Sequence, residues 1–331
     1  MDPDAGKDAM TELVTLDIGG TNARFALAKV EGGRVVALSD PITLATADHA
    51  TFRTAWEHFA TLAGRDLPRA VAIAIAGPVK GEAIQFTNNP WVIRPADLKA
   101  EIGVDRALLV NDFEAVGHAV AGAEDDAFTA ICGPDTPLPE SGTISVVGPG
   151  TGLGVAYVWR DKGQYRVQST EGGHIDYAPI DAIEDAILSR LRKKHRRVSA
   201  ERVVSGPAIV DIYQALAELE KRDVRLQDDK AIWTAGMDGA DSLAMAAVER
   251  FCLALGSVAG SIALAQGAAA VVIAGGLGQR LSGQLHRSGF ADRFRAKGRF
   301  ESMMGAMPVK LITHPQPGLL GAAAAFARET A

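Results

Sequence analysis

The sequence predicts an α/β protein of two lobes, each organised around a β-hairpin with a glycine-rich turn at its tip. At 331 residues the chain is too long for one typical hydrophobic core, so we expect two domains. A pattern of strand, glycine turn, strand, turn and strand also occurs twice, with turns at Gly20 and Gly33 in the first copy. The same spacing recurs between Gly150 and Gly163 in the second copy. We interpret this repeat as an internal duplication, with one such hairpin in each lobe.

In the first copy, short apolar or alternating runs between glycine and polar turns predict the strands. These strands span residues 13–17, 24–30, 34–38, 70–75 and 107–110. The stretch 79–86 is predicted to be a small hairpin. Apolar residues at helical spacing predict helices at 51–62 and 113–121. Pro95 fits the first turn of a further helix that runs to Glu101, because its missing N–H is tolerated there.

The same criteria predict the elements of the second copy. Strands are expected at 143–147, 154–160, 165–169 and 309–312. Helices are expected at 181–197, 208–221 and 242–266, and an alanine-rich helix after Pro317 closes the chain. The helix at 181–197 has acidic residues early and basic residues late, which complements the helix dipole. Its basic run, Arg190–Arg197, is therefore interpreted as a solvated helix end and not as a nucleic-acid patch.

Composition and charge narrow the class of protein. The chain is 47% hydrophobic and 22% charged, as soluble globular proteins usually are. A formal net charge of −6 argues against nucleic acid as a partner, because nucleic-acid binders carry a basic excess. The two cysteines, Cys132 and Cys252, offer neither a disulfide framework nor a zinc-site spacing. The first ten residues lack an apolar segment and are expected to form a disordered tail, so we predict a cytoplasmic protein.

One segment is long and apolar enough to raise the question of a membrane span. Residues 251–274 are nearly uncharged. Glycines interrupt this segment, and it changes to β-branched residues before Gly275. We therefore predict a buried helix that runs into a buried strand, and no membrane partner.

Asn111 and Asp112 lie between a predicted strand and a predicted helix. This places both residues at the carboxyl end of a strand, where α/β sheets bind ligands. Two interpretations of Asp112 are open. It could cap the helix, since Asp and Asn are preferred capping residues, or it could be a catalytic carboxylate.

The glycine turns favour phosphate binding. No Gly-Lys-Ser/Thr follows either turn, which excludes a P-loop. A dinucleotide fingerprint requires a helix after the glycines, whereas both turns lead into strands. There remains a hairpin whose tip amides and threonine hydroxyl point at phosphate oxygens. The alternative, a tight turn that only needs positive φ, explains the glycines but not the threonine present in both copies.

Seven motifs resemble those of the bacterial glucokinases and occur in the same order. They are 16–25 (LDIGGTNARF), 111–115 (NDFEA), 150–154 (GTGLG), 171–179 (EGGHIDYAP), 198–203 (VSAERV), 273–276 (IAGG) and 317–321 (PGLLG). That family belongs to the hexokinase–actin–heat-shock ATPase superfamily. The resemblance covers essentially the whole chain. It implies a two-lobed actin-like, ribonuclease-H-like ATPase fold with duplicated β-hairpin phosphate loops and a central cleft. The small domain would comprise residues 12–121 plus 313–331, and the large domain residues 122–312.

The resemblance also implies ATP-dependent phosphorylation of glucose at its 6-hydroxyl, as the first step of glycolysis. The residues implied to hold ATP are Leu16, Asp17, Ile18, Gly19, Gly20, Thr21 and Asn22 from the first lobe, and Gly150, Thr151, Gly152, Gly275 and Gly276 from the second. Asp17 would also position Mg²⁺, through water. Its alternative is a buried strand-end carboxylate satisfied by turn amides.

The residues implied to bind the sugar are Asn88, Asn111, Asp112, Glu171, His174 and Glu201. Adjacent sugar hydroxyls need carboxylates and amides that accept and donate hydrogen bonds. Glu171 and His174 are three residues apart, so a single turn could aim both into one pocket. The ordinary alternatives are a loop carboxylate for Glu171, a core histidine for His174 and a surface helix residue for Glu201. Asp112 would accept the proton of the sugar hydroxyl.

The resemblance also bears on the branch of the family. The zinc-binding cysteine cluster of the related repressor and kinase group is missing, which favours the branch without zinc. We also expect a homodimer, although the residues themselves leave the oligomeric state open. A kinase for another hexose remains an alternative, because one altered hydroxyl contact could change the preference. A catalytically weak sugar sensor on the same fold is the other alternative, but too few residues precede the first strand for a helix-turn-helix domain.

Overall fold

The structure is a computed structural model that describes residues 10–77, 79, 81–86 and 89–329. The chain divides into two compact units. The first unit is Met1–Glu124 together with His314–Ala331, and the second unit is Asp125–Thr313. Their boundaries lie at 124/125 and 313/314, close to the expected 121/122 and 312/313.

Fourteen strands and twelve α-helices lie within the described residues. The strands are β1 (Thr11–Ile18), β2 (Asn22–Glu31), β3 (Arg34–Leu38), β4 (Ile42–Ala45), β5 (Ala70–Ile75), β6 (Ile84–Phe86), β7 (Asn89–Ile93), β8 (Arg106–Asn111), β9 (Phe128–Cys132), β10 (Gly142–Pro149), β11 (Leu153–Asp161), β12 (Gln164–Thr170), β13 (Ala268–Ile273) and β14 (Val309–Ile312). The helices are α1 (Phe52–Ala63), α2 (Pro95–Ile102), α3 (Asp112–Gly122), α4 (Ala182–Lys194), α5 (Ala208–Glu220), α6 (Asp229–Met237), α7 (Ser242–Gln266), α8 (Gly275–Arg280), α9 (Ser282–Arg287), α10 (Phe290–Arg295), α11 (Glu301–Gly305) and α12 (Pro317–Glu329). Short 3₁₀ helices lie at Thr46–Asp48, Asp125–Ala127, Gly172–His174, Ala200–Arg202 and Gly298–Phe300.

The sheets of the two units share one strand order over five strands. In the first unit the order is β3-β2-β1-β5-β8, and β4 also pairs with β2. In the second unit the order is β12-β11-β10-β13-β14-β9. In the first sheet β1, β2 and β3 pair antiparallel, and β5 and β8 run parallel to β1. In the second sheet β10, β11 and β12 pair antiparallel, and β13 and β14 run parallel to β10. The predicted internal duplication is therefore confirmed at the level of topology.

In the first unit both faces of the sheet are covered. One face carries an aromatic cluster that includes Phe25, Phe59 and Trp91. The other face is covered by α3 and the alanine-rich α12. The latter two helices touch backbone to backbone, since a Cβ added to Gly321 would lie 1.7 Å from the carbonyl oxygen of Ala115.

The second unit is built around α7. This helix is long and apolar enough to cross a membrane, but 72% of its most apolar stretch is buried inside the protein. Gly256 and Gly260 lie against the backbone of α10, where an added Cβ would come within 2.3 Å of Phe290 O and 2.6 Å of Phe294 O. The glycines that interrupt the apolar segment thus have a packing role. The prediction of a buried helix followed by a buried strand is confirmed, because α7 leads directly into β13.

Two local predictions were wrong, and several short elements were not predicted. The helix predicted at 181–197 begins after its N-cap, Asp181, and ends at Lys194. His195 is extended and residues 196–197 form a bend, where Arg197 donates a hydrogen bond to His174 O. The basic run is therefore only partly helical. The small hairpin predicted at 79–86 is shifted: β6, at the end of that range, pairs with β7 beyond it, and residue 80 lies outside the described residues. Strands β4 and β9 and helices α6 and α8–α11 were not predicted, since they are short or lack a strong apolar period.

Candidate active site

Two carboxylates lie at the carboxyl edge of the first unit's sheet. Asp17 is in register with Ala74 of β5, and Ala74 is in register with Val110 of β8. Asp112 follows one residue after the end of β8. The structure therefore brings Asp17 and Asp112 to the same sheet edge, about two strand spacings apart, or roughly 10 Å.

Asp112 has an abnormal acidity. The pKa of its carboxyl is raised from 3.8 to about 6, mainly by burial and in part by the negative charge of Asp17, while the hydrogen bond from the Phe113 N–H acts in the opposite direction. The neutral form of a buried carboxyl is favoured because the charged form loses its hydration. Such a shifted carboxyl at a ligand-binding sheet edge is a candidate proton acceptor.

The helix cap is Asn111 and not Asp112. The Oδ1 of Asn111 accepts hydrogen bonds from the N–H groups of Phe113 and Glu114, at 3.0 and 3.1 Å. Its Nδ2 donates to Gly77 O at 3.1 Å. The capping interpretation of Asp112 is therefore wrong by one residue. The Asn111 side chain also hydrogen-bonds to the Asp112 carboxylate, which lowers the pKa of that group.

Asp17 is held from two sides within the first unit. Its Oδ2 accepts a hydrogen bond from Arg24 at 3.2 Å. A Cβ added to Gly318, at the start of α12, would lie 2.9 Å from the same oxygen. Burial raises the pKa of Asp17, and the charge of Arg24 partly opposes this. The alternative of a carboxylate satisfied only by turn amides is not what the structure shows, since its partner is an arginine.

The first glycine turn connects β1 to β2. The turn closes with a hydrogen bond from the Gly19 N–H to Asn22 O at 2.9 Å, and Thr21 and Asn22 are exposed at its tip. Gly20 is half-buried beside them. The side chains of Leu16 and Ile18 are fully buried in the core, so only their backbone could take part in binding.

Two residues that were not predicted brace this turn. Thr46 donates from its N–H to Thr21 O and from its hydroxyl to Gly20 O, both at 3.0 Å. Asn89 donates to Gly19 O at 3.2 Å. Both side chains are buried, and both come from distant parts of the sequence, so no local pattern could have revealed them. The predicted Asn88 lies outside the described residues.

The second glycine turn connects β10 to β11 in the same way. The Gly150 N–H donates to Gly152 O at 2.8 Å, which parallels the closure of the first turn. Thr151 is exposed at the tip. Gly275 has a φ of +80° and stands against this hairpin, where a Cβ would lie 2.8 Å from Pro149 O. Around Gly276 there is open space.

The remaining predicted residues of the second unit lie on two short 3₁₀ helices. His174 Nε2 lies 3.8 Å from Glu171 Oε2, and both side chains are more than half exposed. The two side chains are thus brought together by a single turn, and His174 is not a core histidine. Glu201 is half-buried and its Oε2 accepts a hydrogen bond from the Leu153 N–H at 2.9 Å, so it is not a surface helix residue.

The two glycines between Glu171 and His174 are explained by packing. A Cβ on Gly172 would lie 2.9 Å from Val155, and a Cβ on Gly173 would lie 2.2 Å from Leu153 O. These positions let the Glu171–His174 turn lie directly on β11. The turn is therefore placed beside the second glycine turn, within one unit.

Two units with the same sheet order, each with a glycine turn between its first two sheet strands, define a kinase of the actin-like, ribonuclease-H-like ATPase class. A family model described as Glucokinase matches residues 14–329. The glucokinase of Zymomonas mobilis is 55% identical over 318 residues, covering 96% of this chain and 98% of that protein. The chain belongs to the glucokinase family.

Other relatives agree. The glucokinase of Paramagnetospirillum magneticum is 39% identical over 319 residues, covering 95% of this chain and 97% of that protein. A crystal structure of a glucokinase from an Antarctic psychrotroph superposes with a TM-score of 0.82 at 33% identity, covering 95% of this chain and 98% of that chain. A Streptomyces griseus glucokinase of the ROK family, solved in complex with glucose and AMPPNP, shares the fold at a TM-score of 0.60 and 22% identity, covering 97% of this chain and 100% of that chain.

Proposed function

We propose that this chain transfers the γ-phosphoryl group of ATP to the 6-hydroxyl of glucose, the first step of glycolysis, with Asp112 as the base. Membership of the glucokinase family supports the reaction. The observation that carries the assignment of the base is the pKa of about 6 of a carboxyl at the sheet edge. At neutral pH this group is ionised, yet it is more basic than an ordinary aspartate.

A carboxylate is a weak base toward an alcohol, so early removal of the proton would be unfavourable. It suffices here because the transition state of phosphoryl transfer is loose and the proton leaves late. Asp112 then accepts the hydroxyl proton while the sugar oxygen attacks the γ-phosphorus. Most of the rate acceleration comes from orientation of the reactants and from backbone N–H groups that face the phosphate oxygens.

We assign the phosphates to the two glycine turns. Thr21 and Thr151 are exposed at the tips, and Gly275 and Gly276 border the second turn. Asp17 fits a role in placing Mg²⁺, because this ion is usually held by one or two carboxylates together with substrate phosphates. Among the described residues no cluster of three or more His, Cys, Asp or Glu side chains could hold a metal ion by itself. When bound with the nucleotide, Mg²⁺ supplies positive charge to the phosphate oxygens.

The sugar is assigned to Glu171, His174 and Glu201 in the second unit, and to Asn111 and Asp112 in the first. Glu171 and His174 form an exposed pair that can accept and donate hydrogen bonds to neighbouring hydroxyls. Asn88 belongs to the same proposal, although it lies outside the described residues. The predictions of a homodimer and of a cytoplasmic location also remain proposals, the latter supported by two free cysteines.

A coupled assay that detects glucose 6-phosphate and ADP tests this function. We expect turnover with glucose and ATP to exceed turnover with mannose or N-acetylglucosamine by at least about tenfold, since a site that hydrogen-bonds particular hydroxyls rejects their isomers. Donors are compared in the same assay, with ADP and polyphosphate as alternatives to ATP. Equal or greater turnover with another hexose would contradict the assignment of glucose as the preferred substrate. Absence of turnover with every sugar would indicate a sensor.

A further inference from the structure

The carboxylate of Glu201 is in direct contact with the second glycine turn, a contact that sugar binding alone does not explain. Its Oε2 accepts a hydrogen bond from the N–H of Leu153, the residue that follows the turn, at 2.9 Å. A Cβ added to Gly152 would lie 2.5 Å from the same oxygen. The backbone of Gly152 is not left-handed, so a side chain at this position would meet the Glu201 carboxylate and displace it.

Two other segments of the second unit hold the same turn. The Gly206 N–H donates to Gly150 O at 2.7 Å. Gly173 packs against Leu153 O, where a Cβ would lie 2.2 Å from that oxygen. Leu153 is thus held at its N–H by Glu201 and at its carbonyl by the segment between Glu171 and His174. Leu153 therefore links the turn assigned to phosphate with the residues assigned to sugar, because it contacts both.

We propose that Glu201 is a positioning residue for the nucleotide, which keeps the second glycine turn in the shape that receives the phosphates. This inference rests on the proposed assignment of ATP to that turn. A hydrogen bond to a carboxylate is stronger than one between neutral groups, so it can order a glycine-rich turn. A turn that is already ordered binds its ligand without the entropic cost of ordering on binding.

The negative charge of Glu201 acts against this effect, because it repels phosphate. The two contributions are separable by substitution. Glu201→Gln keeps an oxygen that can accept the bond from Leu153 and removes the charge, whereas Glu201→Ala removes both. If bracing dominates, the alanine variant is impaired in nucleotide binding and the glutamine variant is not.

The test is the affinity of the full chain for AMPPNP with Mg²⁺ in the absence of sugar, measured by calorimetry. We expect Glu201→Ala to weaken this affinity by about tenfold, as for a lost hydrogen bond to a charged group, and Glu201→Gln to stay within about threefold. Glu220→Ala, which removes an exposed carboxylate paired with Arg222 on the same unit, serves as the control and should bind normally. Melting temperatures confirm that each variant is folded.

A double-mutant cycle provides a second measurement. Gly152→Ala should weaken AMPPNP binding, because the new methyl group displaces the carboxylate. In the Glu201→Ala background the same change should cost much less, since the clashing group is absent. If Glu201→Ala binds AMPPNP as tightly as the wild type, or if the effects of the two substitutions on affinity are additive, the positioning role is overturned and the nucleotide site is not. If the wild-type chain fails to bind AMPPNP, the proposed nucleotide site and the positioning role fail together.

Discussion

Asp112 lies one residue beyond the helix cap, and this offset separates its chemical role from a structural one. Asn111 satisfies the first N–H groups of α3. Asp112 accepts a hydrogen bond from the N–H of Phe113, at 2.9 Å. An amide oxygen at position 112 can accept that same bond, so the negative charge of Asp112 can be removed without removing the cap.

Asp112→Asn should therefore abolish most of the activity without loss of stability. The amide cannot accept the hydroxyl proton, and we expect kcat to fall by about 10² to 10⁴, the usual contribution of a general base. At neutral pH the melting temperature should not fall and should rise slightly, because the amide removes a buried negative charge. As a control, Asn111→Ala should cost about 1 kcal/mol of unfolding free energy, the typical effect of a lost N-cap. The measurements are kcat at saturating glucose and ATP, and the two melting curves. A stable Asp112→Asn variant with normal turnover would remove Asp112 from the mechanism.

The raised pKa of Asp112 also predicts how activity and stability depend on pH. As the base must be ionised, kcat/KM should fall as the pH drops below about 6. The folded-state pKa is raised above the ordinary 3.8, so the stability contributed by Asp112 is present below about pH 4 and is lost as the pH rises through about 6. Denaturant unfolding should show the wild type losing stability relative to Asp112→Asn between these pH values. A difference that stays constant with pH would contradict the buried carboxyl.

At the scale of the element, α12 explains why the PGLLG motif near the C-terminus contains two glycines. Gly318 leaves room for the carboxylate of Asp17, and Gly321 leaves room for the backbone of α3. Thr15 of β1 donates to Leu319 O at 2.8 Å in the same region. The motif therefore fixes α12 beside β1 and α3, the two elements that carry Asp17 and Asp112.

Gly321→Ala should destabilise the protein, because its Cβ would lie 1.7 Å from Ala115 O and the two helices would have to separate. We expect a loss of about 1–3 kcal/mol, the usual cost of overpacking a core. Gly122→Ala is a matched control at the end of α3, since an added Cβ there meets no atom within 4 Å. This variant should be neutral or gain about 0.4–1 kcal/mol through the unfolded state. Denaturant midpoints provide the measurement, and equal stability of the two variants would show that the helices can separate freely.

At the scale of the whole molecule, the sequence predicted what depends on local patterns. The two hairpins followed from strand periodicity and equal glycine spacing, and the buried α7 followed from its composition. Whether Asn111 or Asp112 caps α3 depends on a single-residue offset that periodicity does not resolve. The braces from Thr46 and Asn89 and the contact of Glu201 with Leu153 join residues far apart in the chain. Such contacts become visible only when the strands are in register.

The last prediction concerns metal removal, which should affect activity and leave the fold intact. Among the described residues no cluster of three or more His, Cys, Asp or Glu side chains could hold a structural metal ion. Excess EDTA should therefore abolish turnover, since phosphoryl transfer from ATP requires a divalent ion at the phosphates. The melting temperature of the ligand-free chain should not change, because nothing that stabilises the folded state is withdrawn. Addition of Mg²⁺ beyond the EDTA concentration should restore full turnover, and this serves as the control. Full activity in excess EDTA would contradict the assignment of Asp17 and of the nucleotide, whereas a lower melting temperature would reveal a structural ion.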